Sequence, residues 1–177
     1  DIRTVIFGQW ITDTLCTLVL VILWLQNRKR YAGLSFWVVT FALQTIAALL
    51  LVLRGVIPDM LLVSLFNPLM VAGAFVGYWG LERFIGKRSP MLPNLLLLGG
   101  FILAHFYFVF AHPDLNARNL NVSLGMLAAC GQSAWLMLWR AEGRKAAVTR
   151  TVGGIYALIG LTSLVRAGVT LVLPQAN

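Results

Sequence analysis

The sequence predicts an all-α fold: a polytopic membrane helix bundle of six transmembrane helices with its N-terminus outside. Three observations carry that expectation. Apolar stretches of about 20 residues recur along the chain, each long enough to cross a hydrocarbon core of about 30 Å as a helix. Charge is scarce, with 11% of the 177 residues charged against 59% hydrophobic and a mean hydropathy of +0.83; a soluble domain carries about 25% charge. Basic residues, finally, gather at alternate joints between the stretches.

The six stretches are 5–25, 34–53, 60–85, 92–111, 120–139 and 147–173. The first is longer than the apolar region of a signal peptide, and basic residues follow it rather than precede it. It is therefore read as a retained helix. Gln9, Asp13, Cys16 and Thr17 recur along it at helical spacing, with Asp13 roughly 13 Å in from the outer end at the usual helical rise. The second holds Gln44 near its middle and Arg54 at its outer end. The third holds Ser64 and Asn67, and the Asn67-Pro68 pair predicts a kink because proline removes a backbone donor. Gly73, Gly77 and Gly80 give that helix a small-residue face suited to close packing. The fourth carries His105 and Tyr107. Asn116, Arg118, Asn119, Asn121 and Ser123 crowd the outer end of the fifth. On the sixth, Ser163, Arg166 and Thr170 share a face, with Arg166 about 11 Å from the exit.

Orientation follows from the basic residues, which favour cytoplasmic helix ends. Ten of the fourteen lie in three alternate joints: Arg28, Lys29 and Arg30; Arg83, Lys87 and Arg88; Arg140, Arg144, Lys145 and Arg150. The other ends hold Arg3, Arg54 and Arg118, and Arg166 is embedded. Both termini are then outside, the C-terminus after Pro174. Trp24, Trp37, Trp79, Trp135 and Trp139 sit toward the predicted cytoplasmic ends, as indole rings at an interface do; Trp10 does not. The connections are short, which predicts one domain without a linker. The net charge of +8 is explained by topology, and without aromatics interleaved among the basic residues it does not describe a nucleic-acid groove.

Polar residues inside a membrane need internal partners, and ionisable ones are functional candidates. Here they collect in the outer half, while the inner half has little beyond Gln132, Ser133 and interfacial Glu82. This asymmetry predicts a ligand-accepting zone open to the periplasm, lined by Asp13, Arg54, Asn67, His105, Arg118, Asn119 and Arg166. Asp13 is the only acid deep in an apolar stretch. Arg166 either pairs with it or snorkels to the headgroups. Cys16 and Cys130 read as packing residues. Glu82-Arg83 reads as a solvated or interfacial pair. Neither a metal nor a cofactor is expected: His105 as a haem ligand lacks a second membrane histidine. No phosphate loop, HExxH or working acid pair supports catalysis by this segment.

Three runs carry a resemblance: "RYAGLSFW" (30–37), "LRGVIPDMLLVSLFN" (53–67) and "GYWGLERFIGK" (77–87). They resemble the N-terminal multipass membrane region that precedes GGDEF diguanylate cyclase domains in many bacteria. "NAR" at 116–118 and the arginine of the sixth stretch are compatible with it. The resemblance implies a sensory input module of the bacterial inner membrane that tunes cyclic di-GMP through a cytoplasmic cyclase, with the output domain supplying a homodimer. This chain has no GGDEF motif and cannot itself make the messenger. A cytoplasmic output on a chain whose N-terminus is outside requires an odd number of spans, so a further helix is expected after Asn177. The competing expectations are a small transporter or channel subunit, which needs a polar path through both halves of the membrane, and a structural scaffold. The partners expected are the lipid bilayer and a small-molecule or lipid ligand.

Overall fold

In a computed structural model, the backbone is described for residues 2–29, 31, 33–139 and 146–173, and side chains for the same residues apart from 2, 146 and 147. Arg30, Arg140, Arg144, Lys145 and Pro174, used above to assign orientation, lie outside the described residues. Among the described residues, six helices are long and apolar enough to cross a membrane. They are α1 (Ile2–Asn27), α2 (Leu34–Val52), α3 (Asp59–Phe84), α4 (Leu92–Phe106), α5 (Leu115–Trp139) and α6 (Ala146–Val172), and α4 runs on through a π-helical turn, Tyr107–Ala111.

The fifth span starts five residues earlier than hydropathy indicates, and local chemistry explains it. Pro113 cannot continue a preceding helix, and Asp114 caps the next one. Its Oδ1 accepts the backbone N–H groups of Asn116 at 2.8 Å and Ala117 at 3.0 Å, satisfying donors that a helix start otherwise leaves open. Asn116, Arg118 and Asn119 consequently stand on the first turns of α5. Pro68 lies within α3, which stays helical on both sides of it.

The helices form two compact units, Asp1–Lys87 and Arg88–Asn177. In the first, α2 packs against both α1 and α3. Two polar contacts tie these neighbours. Thr17 and Thr45 share a hydroxyl hydrogen bond of 2.8 Å between α1 and α2. The Thr40 hydroxyl is shared between its own helix at Phe36 O (2.9 Å) and α3 at Gly73 O (3.2 Å). The small-residue face of α3 does what its spacing predicts. A Cβ on Gly73 would rest 3.5 Å from the Thr40 carbonyl, and one on Gly80 would fall 2.5 Å from the Trp37 ring. The turn into α2 closes on the same end of α3. Gly33 has φ +98°, and a Cβ there would lie 2.5 Å from the Gly80 carbonyl, so both backbone conformation and space require glycine. Ala47, Leu62, Val71, Phe75 and Leu81 are buried in this unit.

Glu82 departs from expectation. It is 3% exposed and accepts a hydrogen bond from Tyr78 Oη at 2.9 Å, one turn away. The phenol takes the place of water, so the carboxylate is an interior group and not a solvated one. Nearby, the Arg83 guanidinium lies 5.4 Å from the centre of the Phe36 ring.

In the second unit α5 packs against α4 and α6. Gly153 and Gly160 of α6 meet Leu138 and Leu127 of α5, and Val122, Ala129, Met137 and Ala167 are buried. Cys130 is 2% exposed and Cys16 is exposed; both are free thiols. Large apolar side chains cover the outward faces, including Leu15, Val19 and Ile22 of α1 and Leu161, Val165 and Val169 of α6. Apolar surface of that extent suits lipid and not water.

Candidate functional site

The first unit has a cavity of about 620 Å³ at the end where α1 begins, α2 ends and α3 begins. Its charged walls are Arg3, Arg54 and Asp59, and its apolar walls include Ile6, Phe7, Leu51, Val52 and Val56. Binding pockets for small molecules typically occupy about 300–1,000 Å³ and combine apolar walls with a few placed polar groups. The turn between α2 and α3 shapes the rim. Gly55 there has φ +91°, which glycine adopts at no steric cost, and Val56 N–H and Ile57 N–H both bond Leu53 O, at 2.9 and 3.2 Å. This tight turn leaves Val56 82% exposed. Pro58 then precedes α3 with φ −58°, and Asp59 occupies the first helical turn, where its charge favours the helix dipole. Among the described residues neither Arg54 nor Asp59 enters an ion pair.

Of the residues singled out in the sequence, Arg54 lines this cavity. Arg3 and Asp59 join it and were missed, because each sits at a helix end, where a charge is ordinary in a membrane protein. The signal that could have found them is the brevity of the α2–α3 turn: with α1 packed on α2, it brings three helix ends together.

Asp13 lies deeper in the same unit and is half-buried. The Gln9 side-chain amide donates to its Oδ1 at 2.9 Å, and its own carbonyl accepts the Thr17 hydroxyl at 2.8 Å. Gln9, Asp13 and Thr17 therefore form one connected polar row that continues to Thr45 on α2. The helical spacing had indicated the row but not its destination. Asn67 is half-buried on α3.

The remaining candidates belong to the second unit. Arg166 Nε donates to Ser123 Oγ at 2.8 Å, joining α6 to α5, and the Ser123 hydroxyl donates to Asn119 O at 2.8 Å. Ser123 is fully buried while Arg166 is exposed overall. The hydroxyl thus holds one of the five N–H groups that the guanidinium offers. His105 is fully buried on α4 and stacks on Phe101, with ring centres 5.8 Å apart. The Asn121 amide donates to Phe101 O at 3.0 Å and ties α5 to α4 at that level. Arg118 is half-buried on the first turns of α5. The π-helical turn begins at Tyr107, two residues after His105; such turns recur at functional sites. Arg166, Ser123 and Asn119 form one linked row, and Asn121 ties α5 to α4 at Phe101, on which His105 stacks. Among the described residues no three His, Cys, Asp or Glu side chains cluster as a metal site requires.

No family model matches the chain, and no curated protein or solved structure matches it.

Proposed function

We propose that this chain is a sensory input domain of the bacterial inner membrane, which receives a small ligand at its periplasmic end and governs a cytoplasmic diguanylate cyclase output. The observation that carries the proposal is the cavity walled by Arg3, Arg54 and Asp59. By the distribution of basic residues, this end of the unit is the outer one, opposite Arg28, Lys29 and Lys87. The link to cyclic di-GMP rests on the resemblance of 30–87 to regions that precede GGDEF domains. The segment contributes recognition, and the chemistry belongs to the output domain.

The mechanism is a shift of population. Three helix ends meet at the cavity, so a ligand held there favours one arrangement of α1, α2 and α3 over another, by no more than its difference in affinity for the two. The polar row Gln9–Asp13–Thr17–Thr45 runs inward from that end and gives α1 and α2 a shared polar contact through which the choice can be felt. Asn67 lies in the first unit, and the Arg166–Ser123–Asn119 row, His105 and Arg118 in the second; under this reading each stands toward the outer ends of its own unit's helices.

Cellular cyclic di-GMP, measured with the whole protein carrying Arg54→Gln or Asp59→Asn, tests it. Altered output at normal membrane levels supports the proposal. Unaltered output from both variants refutes the site. The transporter reading is favoured by one observation, the division into two units of three helices each, a count that also occurs in transporter repeats. Flux into proteoliposomes would establish it.

A further inference from the structure

We propose that Arg166, tethered by Ser123 at the α5–α6 contact, forms a phosphate site on the second unit, and that the phosphate is the head of a membrane phospholipid. This site stands whether or not the cavity of the first unit receives the sensor's ligand. Arg166 Nε donates to Ser123 Oγ at 2.8 Å, and that hydroxyl donates to Asn119 O at 2.8 Å, so the serine is fixed from both sides. Ser123 is fully buried, whereas Arg166 is exposed. Protein therefore holds the guanidinium at one edge and leaves the other open. Its four remaining N–H groups sit on the two Nη atoms. Among the described residues the side chain makes no other bond and no ion pair. The open edge is a fork of the kind that phosphate oxygens match. No acid of this unit answers it. Asp114 accepts two backbone N–H groups at the start of α5, and Glu142 follows Trp139, past the far end of that helix.

Depth selects the source. The span Val148–Val172 has 25 residues, about 37 Å at the usual helical rise against a hydrocarbon core of about 30 Å. Arg166 stands about 9 Å from Val172. With the span centred, its Cα is only about 5–6 Å below the hydrocarbon edge, a distance that an arginine side chain covers. Its fork is thus within reach of the phosphates that every phospholipid brings to that edge, and a cation left there without an anion would be costly. The neighbours are polar on the same side. Asn119 of α5 and Thr170 of α6 stand one turn from Ser123 and Arg166 toward that edge. The Thr170 hydroxyl donates to Arg166 O at 2.8 Å. The Asn119 side-chain amide enters no bond among the described residues, which leaves a further donor one turn away. A snorkelling side chain follows the headgroups freely; this one is anchored at Nε, in a geometry that lysine cannot reproduce.

The test is native mass spectrometry of the full chain released from detergent micelles. Dioleoyl phosphatidylglycerol is the probe, and dioleoylglycerol, the same acyl chains without the phosphate, is the reference. The unsubstituted chain should bind the phosphatidylglycerol in preference. Arg166→Gln should lower that preference by about tenfold or more, the range of a hydrogen bond to a charged group. Arg166→Lys should keep only part of it, and Ser123→Ala should lower it although the arginine remains. Arg150→Gln, on the same helix, should change nothing. Inorganic phosphate separates the sources: competition shows that the free ion is also accepted, its failure leaves the lipid alone, and either result supports the phosphate site. Equal binding of the two lipids by the unsubstituted chain overturns it. So does an unchanged preference in an Arg166→Gln variant with native near-ultraviolet circular dichroism. Should that variant not fold, an unchanged preference in both Arg166→Lys and Ser123→Ala overturns it instead.

Discussion

Replacing Gly80 with alanine probes the contact that joins α2 to α3. The added Cβ would lie 2.5 Å from Trp37 Cδ1, 2.6 Å from its Nε1 and 3.1 Å from Phe36 Cβ. Carbon atoms in contact sit about 3.5–4.0 Å apart, so the ring must withdraw by about 1 Å or the helices must part. Trp37 is not free to withdraw, because its ring packs on Phe84 with centres 5.5 Å apart. Overfilling a packed site costs about 1–3 kcal/mol. Gly99 on α4 supplies the control: a Cβ there meets nothing within 4 Å. Both substitutions gain the same helix propensity, about 1 kcal/mol, so their difference isolates the steric term. Unfolding in mixed micelles, followed by near-ultraviolet circular dichroism, should show Gly80→Ala less stable than Gly99→Ala by about 1–3 kcal/mol. Equal stability would refute the close approach of α2 to α3 at this glycine.

Other expectations follow from single contacts. Asp114→Ala removes the cap of α5 and should cost about 1 kcal/mol in the same unfolding assay, whereas Asp114→Asn keeps an acceptor and should cost much less. A double-mutant cycle of Ser123→Ala with Arg166→Gln should give a coupling of about 0.6–2 kcal/mol, the range for hydrogen bonds between membrane helices; a coupling near zero would show that the serine does not hold the arginine. The cycle of Thr17→Val with Thr45→Val should give about 0.6 kcal/mol between α1 and α2.

The fold was legible because lipid imposes it. Six apolar stretches are what six spans require, and their centres agree with the helices found. The boundaries were less legible wherever a polar residue belonged to a helix. Asn116, Arg118 and Asn119 fall outside the apolar stretch 120–139, yet Asp114 caps the turn they form. Gly73 and Gly80 announced close packing through their spacing, while the partners Thr40 and Trp37 depend on the register of α2 against α3, which no single stretch encodes. The same is true of the site. Arg54 stood out, but Arg3 and Asp59 join it only once three helix ends converge. Ser123 was visible as one polar residue among several; its role as the partner of Arg166 is a matter of rotation about α5 and α6. Glu82 was misjudged because Tyr78, one turn earlier, supplies the hydrogen bond that water was expected to give.

The most direct test of the central claim, a cavity at the outer end of the first unit, is labelling of Val56→Cys in a background with Cys16→Ala and Cys130→Ala. A membrane-impermeant maleimide added to intact cells should modify this cysteine. Labelling only after the inner membrane is opened would contradict the outward orientation of the cavity.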